Sequence, residues 1–234
     1  MQETNIHILC TRPLNESLLE EVRQQDILID TISFIETEPI LTIEVQQEIE
    51  QSFVRMATVI FTSMNAVEAV TDYMDEIPEW RIYCIGSATE RLVKEYFGEA
   101  AIAGTASDAA ELAELIVEDE PGDEIIFFCG DQRREELPSI LASNGLELTE
   151  IVVYQTIAVP HKINTTYNGI LFFSPSAVDS FFSANKVNGP TLLFAIGNTT
   201  ARAIKKYSTN KVIVSDEPGK ENLVEKMLEV FGKR

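Results

Sequence analysis

One stretch of this chain is written twice, and that duplication limits the folds open to it. Residues 82–97 read IYCIGSATERLVKEYF and residues 192–207 read LLFAIGNTTARAIKKY. Gly86 matches Gly197, Thr89 matches Thr200, Arg91 matches Arg202, Lys94 matches Lys205 and Tyr96 matches Tyr207, each pair 111 residues apart. The opening apolar run is hydrophobic on both faces, as a buried parallel strand requires. The glycine permits a tight strand-to-helix turn, and Thr199 or Thr200 is expected to cap the helix that follows. Backbone N–H groups at such a helix start have no partner within the helix and suit an anion.

The same register extends outward. Residues 169–173 repeat the strand at 57–61, Ser174 to Val178 repeat Ser63 to Val67, and Leu223 matches Leu112. Two equal βα domains follow, one inserted in the other. The inserted domain is expected over 43–153, the discontinuous domain over 1–38 plus 161–234, with linkers at 39–42 and 154–160. Pro39 and the β-rich run 148–158 mark those connections. Strands alternating with helices imply doubly wound parallel sheets, which bind ligands beyond the carboxyl ends of their strands. A double hinge between two such domains predicts a cleft of variable width.

Charge narrows the partners. Eighteen Lys and Arg against 38 Asp and Glu give −20, with no basic stripe for nucleic acid or an anionic membrane surface. The first residues, MQETNIHILCTRP, lack the basic and long apolar regions of a signal peptide, and there is no apolar run of about 18 residues, the length a membrane span needs. Cys10, Cys84 and Cys129 each lie in or at the end of a strand-like run, outside any CxxC, as buried reduced thiols of the cytoplasm would. His7 and His161 have no ligand spacing, so no metal is expected. GxSxG, GxxxxGK[ST] and GxGxxG are absent, as is a flavin loop after the first strand, so no cofactor is expected either.

What remains are polar residues at strand ends. Ser63, Ser174 and Ser176, with Thr89, Thr199 and Thr200, stand where strands give way to helices, beside Gly86, Gly130 and Gly197. Each hydroxyl is an ordinary helix cap or an anion donor, and the recurrence in both domains favours donors for the set. Arg12 and Arg134, just after strands, are the basic groups best placed for carboxylates. Tyr154 lies near a linker, from which its phenol can donate a proton.

ILCTRPL, FTSMNAVEAV, YCIGSATERL, CGDQRREELPSIL, VVYQT, FFSPSAV and AIGNTTARAI occur in an order that resembles the uroporphyrinogen-III synthase family over nearly the whole chain. Cys129 stands where the family often has arginine. The resemblance implies two flavodoxin-like domains joined by a two-stranded linker. It also implies a lyase that cyclises and dehydrates hydroxymethylbilane to uroporphyrinogen III, inverting ring D through a spiro intermediate, in haem or sirohaem biosynthesis. Tyr154 is then the favoured proton donor, and the strand-end loops would hold the substrate's acetate and propionate arms. Hand-over of substrate from hydroxymethylbilane synthase is the partner interaction this leaves room for, and a monomer is expected. A non-catalytic cytoplasmic tetrapyrrole sensor of the same fold is the alternative.

Overall fold

Short runs that are apolar but for Thr58 become the central strands. ATVIF at 57–61 and GILF at 169–172 are buried at every position, as strands covered by helices on both faces must be. The computed structural model describes residues 6–122, 124–217 and 219–232; residues at the expected outer ends of the discontinuous domain, 1–5 and 233–234, lie outside that description. In order the elements are β1 (Ile6–Cys10), α1 (Glu16–Gln24), β2 (Ile27–Thr31), β3 (Ile35–Pro39), α2 (Ile43–Phe53), β4 (Ala57–Phe61), α3 (Met64–Thr71) and β5 (Trp80–Ile85). Then come α4 (Ser87–Phe97), β6 (Ile102–Ala106), α5 (Ala109–Glu118), β7 (Glu124–Gly130), α6 (Glu136–Ser143) and β8 (Leu148–Ala158). The chain ends with β9 (Gly169–Phe172), α7 (Pro175–Ala184), β10 (Leu192–Ala195), α8 (Asn198–Tyr207), β11 (Val212–Val214) and α9 (Lys220–Phe231).

Contacts divide the chain into two units: one holds residues up to Glu36 and from Ile157 onward, the other Thr37–Thr156. In the first, the described strands form a parallel sheet ordered β2-β1-β9-β10-β11. Counted along that unit this is 2-1-3-4-5, the flavodoxin-like order. The second unit's sheet runs β3-β8-β7-β4-β5-β6, parallel from β8 to β6. Matching β4 to β9 and β5 to β10, as the repeat demands, makes β7 the counterpart of β1 and β8 of β2. The two sheets therefore have one strand order, entered at different points.

The stretch 27–35 reads as one strand in sequence but is interrupted after Thr31, and the chain restarts as β3. Phe34, fully buried, turns into the first unit's core at that break. The Ile40 N–H donates to the Val153 carbonyl at 2.9 Å and the Val159 N–H to the Phe34 carbonyl at 2.9 Å, the descending register of an antiparallel pair. Among the described residues no helix is long and apolar enough to cross a membrane.

Candidate functional site

In each sheet the topology singles out one gap. Where the strand order reverses, between β1 and β9 in the first unit and between β7 and β4 in the second, successive loops leave in opposite directions and open a crevice at the carboxyl edge.

In the first unit the chain leaves β1 through Thr11 and Arg12. Thr11 is buried, and its N–H and hydroxyl both donate to the Leu171 carbonyl, at 3.0 and 2.8 Å. The Cys10 thiol donates to the Arg12 carbonyl at 2.9 Å. The turn is thereby pinned while the Arg12 side chain stays exposed. Across the gap, Ser174 caps α7 by accepting the Ala177 N–H at 3.1 Å, with Pro175 and half-exposed Ser176 in the first turn. Beyond β10, Gly197 rather than a threonine occupies the cap of α8, and no side chain caps that helix. Its first internal bond runs from the Ala201 N–H to the Gly197 carbonyl at 3.0 Å, so the N–H groups of Asn198, Thr199 and Thr200 have no acceptor in the helix. Thr199 is exposed and Thr200 only 2% so. Capping by either threonine is therefore corrected: the cap lies two residues before Thr199 and three before Thr200, and Thr200 is turned into the core.

The second unit repeats these parts. Ser63 caps α3 through the Ala66 N–H at 3.3 Å. Gly86 opens α4 without a side-chain cap, and Thr89 is 5% exposed. The glycines differ in one respect: Gly86 has φ +81°, a left-handed value that disfavours side chains, whereas Gly197 at −175° is simply extended. Any anion contact from Thr89 or Thr200 would come from its N–H, not its buried hydroxyl.

The loop after β7 carries the basic residues. Arg134 is exposed on this loop, ahead of α6, which begins at Glu136. Arg133 is committed to Glu135 at 2.7 Å and to Glu150 of β8, leaving Arg134 as the loop's outward-facing guanidinium.

Tyr154 sits within β8. The β7–β8 register slips between the pairs Cys129–Val152 and Gly130–Tyr154, so Val153 is an extra residue. Such a bulge re-aims a side chain. Ile151, Val153 and Tyr154 all pack on the same core cluster, the tyrosine only half-buried. Its ring lies over Gly130: a Cβ there would stand 2.4 Å from Cζ, 2.5 Å from Cε2 and 2.8 Å from the hydroxyl. Asp131 fixes this arrangement, its N–H donating to the Tyr154 carbonyl at 3.1 Å and its carboxylate accepting the Thr156 N–H at 2.8 Å. The ring borders a cavity of about 190 Å³ lined also by Pro39, Asn65, Ala69 and the carboxylates of Glu38, Glu68 and Asp72.

The three cysteines are buried free thiols, their pKa pushed up by burial to about 12 for Cys10 and about 11 for Cys84 and Cys129, so thiolate chemistry is closed to them near neutrality. Among the described residues no group of three or more His, Cys, Asp or Glu is arranged to hold a metal ion.

A family model described as uroporphyrinogen-III synthase HemD matches residues 16–225. The chain belongs to that family. It is 26% identical to the porphyrin biosynthesis protein HemD of Ruminiclostridium josui, over 96% of this chain and 48% of the relative. It is 24% identical to the chloroplastic uroporphyrinogen-III synthase of Oryza sativa subsp. japonica, over 66% and 56%. The chain thus spans about half the length of the curated relatives it matches. A crystal structure of uroporphyrinogen-III synthetase from Helicobacter pylori 26695 superposes with a TM-score of 0.67 at 15% identity, covering 96% of this chain and 99% of that one, which establishes the shared fold.

Within this synthase-family fold the residues singled out from sequence fall at one edge of each sheet. Arg12, Ser174, Ser176, Gly197, Thr199 and Thr200 lie at the carboxyl edge in the first unit. Ser63, Gly86, Thr89, Gly130, Arg134 and Tyr154 lie there in the second. Sequence reasoning missed Asp131 as the clamp on Tyr154; the Gly-Asp pair after a strand marks a turn but not its partner. It also missed why residue 130 is glycine, which depends on a bulge that no periodicity reveals.

Proposed function

We propose that this chain is a uroporphyrinogen-III synthase. The observation that carries the reading is the same donor set at the carboxyl edge of both sheets: an exposed arginine on one side of the switch point, a serine-capped helix on the other, and a glycine-opened, uncapped helix next to it. Hydroxymethylbilane bears eight carboxylates and offers little else to grip, so paired sets of amides and guanidinia suit it.

The chemistry asks for geometry more than for reactive groups. The ring A hydroxymethyl accepts a proton and its C–O bond breaks, releasing one water and leaving an azafulvenium cation. The substituted α-carbon of ring D attacks that methylene and gives a spiro pyrrolenine. The old bond from ring D to its bridging methylene then breaks, leaving a second azafulvenium on the ring C side. Ring D closes through its free α-carbon and loses a proton, which balances the one taken up. Tyr154 donates the first proton: its phenol is half-buried, held over Gly130 and anchored through Asp131. Glu38, Glu68 and Asp72 around the adjoining cavity repel carboxylate arms but favour a cationic ring. Direct closure at the free carbon competes, and each tenfold preference against it needs about 1.4 kcal/mol in the transition state. The donor set is complete within one chain, so the working form is a monomer, and its reduced thiols suit the cytoplasm.

The test is isomer analysis. Incubating the chain with hydroxymethylbilane, oxidising the product and separating the porphyrin isomers should give isomer III. Isomer I alone, at the spontaneous rate, would overturn the reading, and tight binding without turnover would favour the sensor alternative.

A further inference from the structure

A second cation stands beside Arg12 that no strand-end motif announces. Helices α1 and α9 pack on the same face of the first unit: Leu18 and Val22 share a core cluster with Leu223, Val224 and Met227, and Cys10 at the end of β1 belongs to it too. Both helices follow parallel strands, so both begin at the sheet's carboxyl edge. Arg12 leads into α1 and Lys220 is the first residue of α9, which has no side-chain cap. The two charges sense each other: burial first, then Arg12, holds the Lys220 ammonium below the ordinary lysine range, while Glu221 pulls it up more weakly. Cys10 between them is a neutral thiol, its pKa raised to about 12. In a chain with 38 acidic and 18 basic residues, most half-buried cations have a carboxylate to hand, as Arg133 and Lys226 do. Here two cations share one edge instead.

We propose that Arg12 and Lys220 together form a carboxylate subsite at the carboxyl edge of the first unit's sheet, with Lys220 a specificity-determining contact for one acidic arm of the tetrapyrrole. This rests on the synthase reading. An incoming carboxylate relieves the repulsion between the two cations, so the pair is poised for an anion rather than satisfied without one. Lys220 has no counterpart in the second unit's repeat, so the subsite breaks the symmetry between the two sheets. A linear substrate that carries a hydroxymethyl group at one end and a free α-carbon at the other must be held in one direction, and a cation on one sheet only supplies that bias.

The experiment uses the full chain as wild type, Lys220→Gln and Lys220→Arg. Lys220→Gln should raise KM about tenfold and lower the share of isomer III in the product, the effect of losing one charge-assisted hydrogen bond that orients the substrate. Lys220→Arg should restore KM. Independently, NMR of the Lys220 side chain should show its pKa rising when uroporphyrin I, an octacarboxylate, is added. A normal KM for Lys220→Gln, with isomer III still formed, overturns the subsite and leaves the synthase reading intact. If wild type forms no isomer III, that reading falls instead, and an unmoved Lys220 resonance with uroporphyrin I then removes the subsite as well.

Discussion

Replacing Gly130 by alanine tests the geometry around Tyr154 directly. The new Cβ would stand 2.4 Å from Cζ of the ring and 2.5 Å from Cε2. Carbon pairs rest at about 3.5–4.0 Å, so the ring must retreat by more than about 1 Å. Gly130 is not among the glycines with positive φ, so the backbone itself accepts alanine. The penalty is therefore the clash alone. Overpacking a tight site destabilises by about 1–3 kcal/mol, and a half-buried ring that can swing toward solvent puts Gly130→Ala at about 1–2. That corresponds to a fall of about 2–8 °C in the thermal midpoint of a chain this long.

Activity should fall further than stability, because a displacement of about 1 Å in a reacting group can lower the rate by about a hundredfold. The decisive measurement is a double-mutant cycle. In a Tyr154→Ala background the ring is gone, and Gly130→Ala should then stabilise the protein by about 0.4–1 kcal/mol, through the lost freedom of the unfolded chain. An equal destabilisation in both backgrounds, or a fully active Gly130→Ala enzyme, would refute the argument that the glycine exists to seat the tyrosine.

Two further outcomes follow from the same structure. Ser63→Ala and Ser174→Ala should each lower stability by about 1 kcal/mol, additively, since each removes one matched cap in a separate unit; calorimetry on the single and double variants checks this. Tyr83 and Tyr167 donate hydrogen bonds to Asp119 and Asp30, and burial, then those bonds, pushes both phenols up from 10.0 to about 12. A raised folded pKa means stability fully present below pH 10 and lost as pH rises toward 12, with the buried cysteines adding to the fall from pH 9. Urea midpoints followed across that window should decline, and Tyr83→Phe or Tyr167→Phe should make the decline shallower.

Much of the scaffold is legible in sequence because its cause is local. Short apolar runs such as GILF, bounded by polar turns, read as buried strands, and Ser63 and Ser174 declare the helices they cap. The repeat at 111 residues gives three equivalent units but leaves out one of the two strands at each switch point. Those strands, β1 and β7, end in Cys10 and Gly130, which lie 120 residues apart, so the insertion displaces their register and hides the match. Side-chain direction at the site is not legible either. Thr200 and Thr199 are neighbours with the same chemistry, yet only one faces out, because the helix starts at Asn198 and its phase decides. Tyr154 depends on a bulge one residue long, whose cause is the pairing with β7 and not the run VVYQT itself.

That division bears on how a protein of net charge −20 would hold the polyanion proposed as its substrate. Net charge acts at long range and is screened beyond about 8 Å at physiological ionic strength. The donors at the sheet edges act at contact: peptide N–H groups at uncapped helix starts carry partial positive charge whatever the surface around them does. Of the acidic residues near these edges, Glu150 is engaged by Arg133 and Asp131 by Thr156, while Glu38, Glu68 and Asp72 gather around the cavity beside Tyr154. On the proposed function, the glycine at each uncapped helix start contributes most to anion binding, even though it brings no functional group of its own. Where a serine stands, as at Ser63 and Ser174, one of those amides is satisfied in advance. At Gly86 and Gly197 no side chain answers the amides. The repeated glycine turn therefore differs from the repeated serine turn beside it in leaving its first-turn amides without a side-chain acceptor, although both are strand-to-helix junctions.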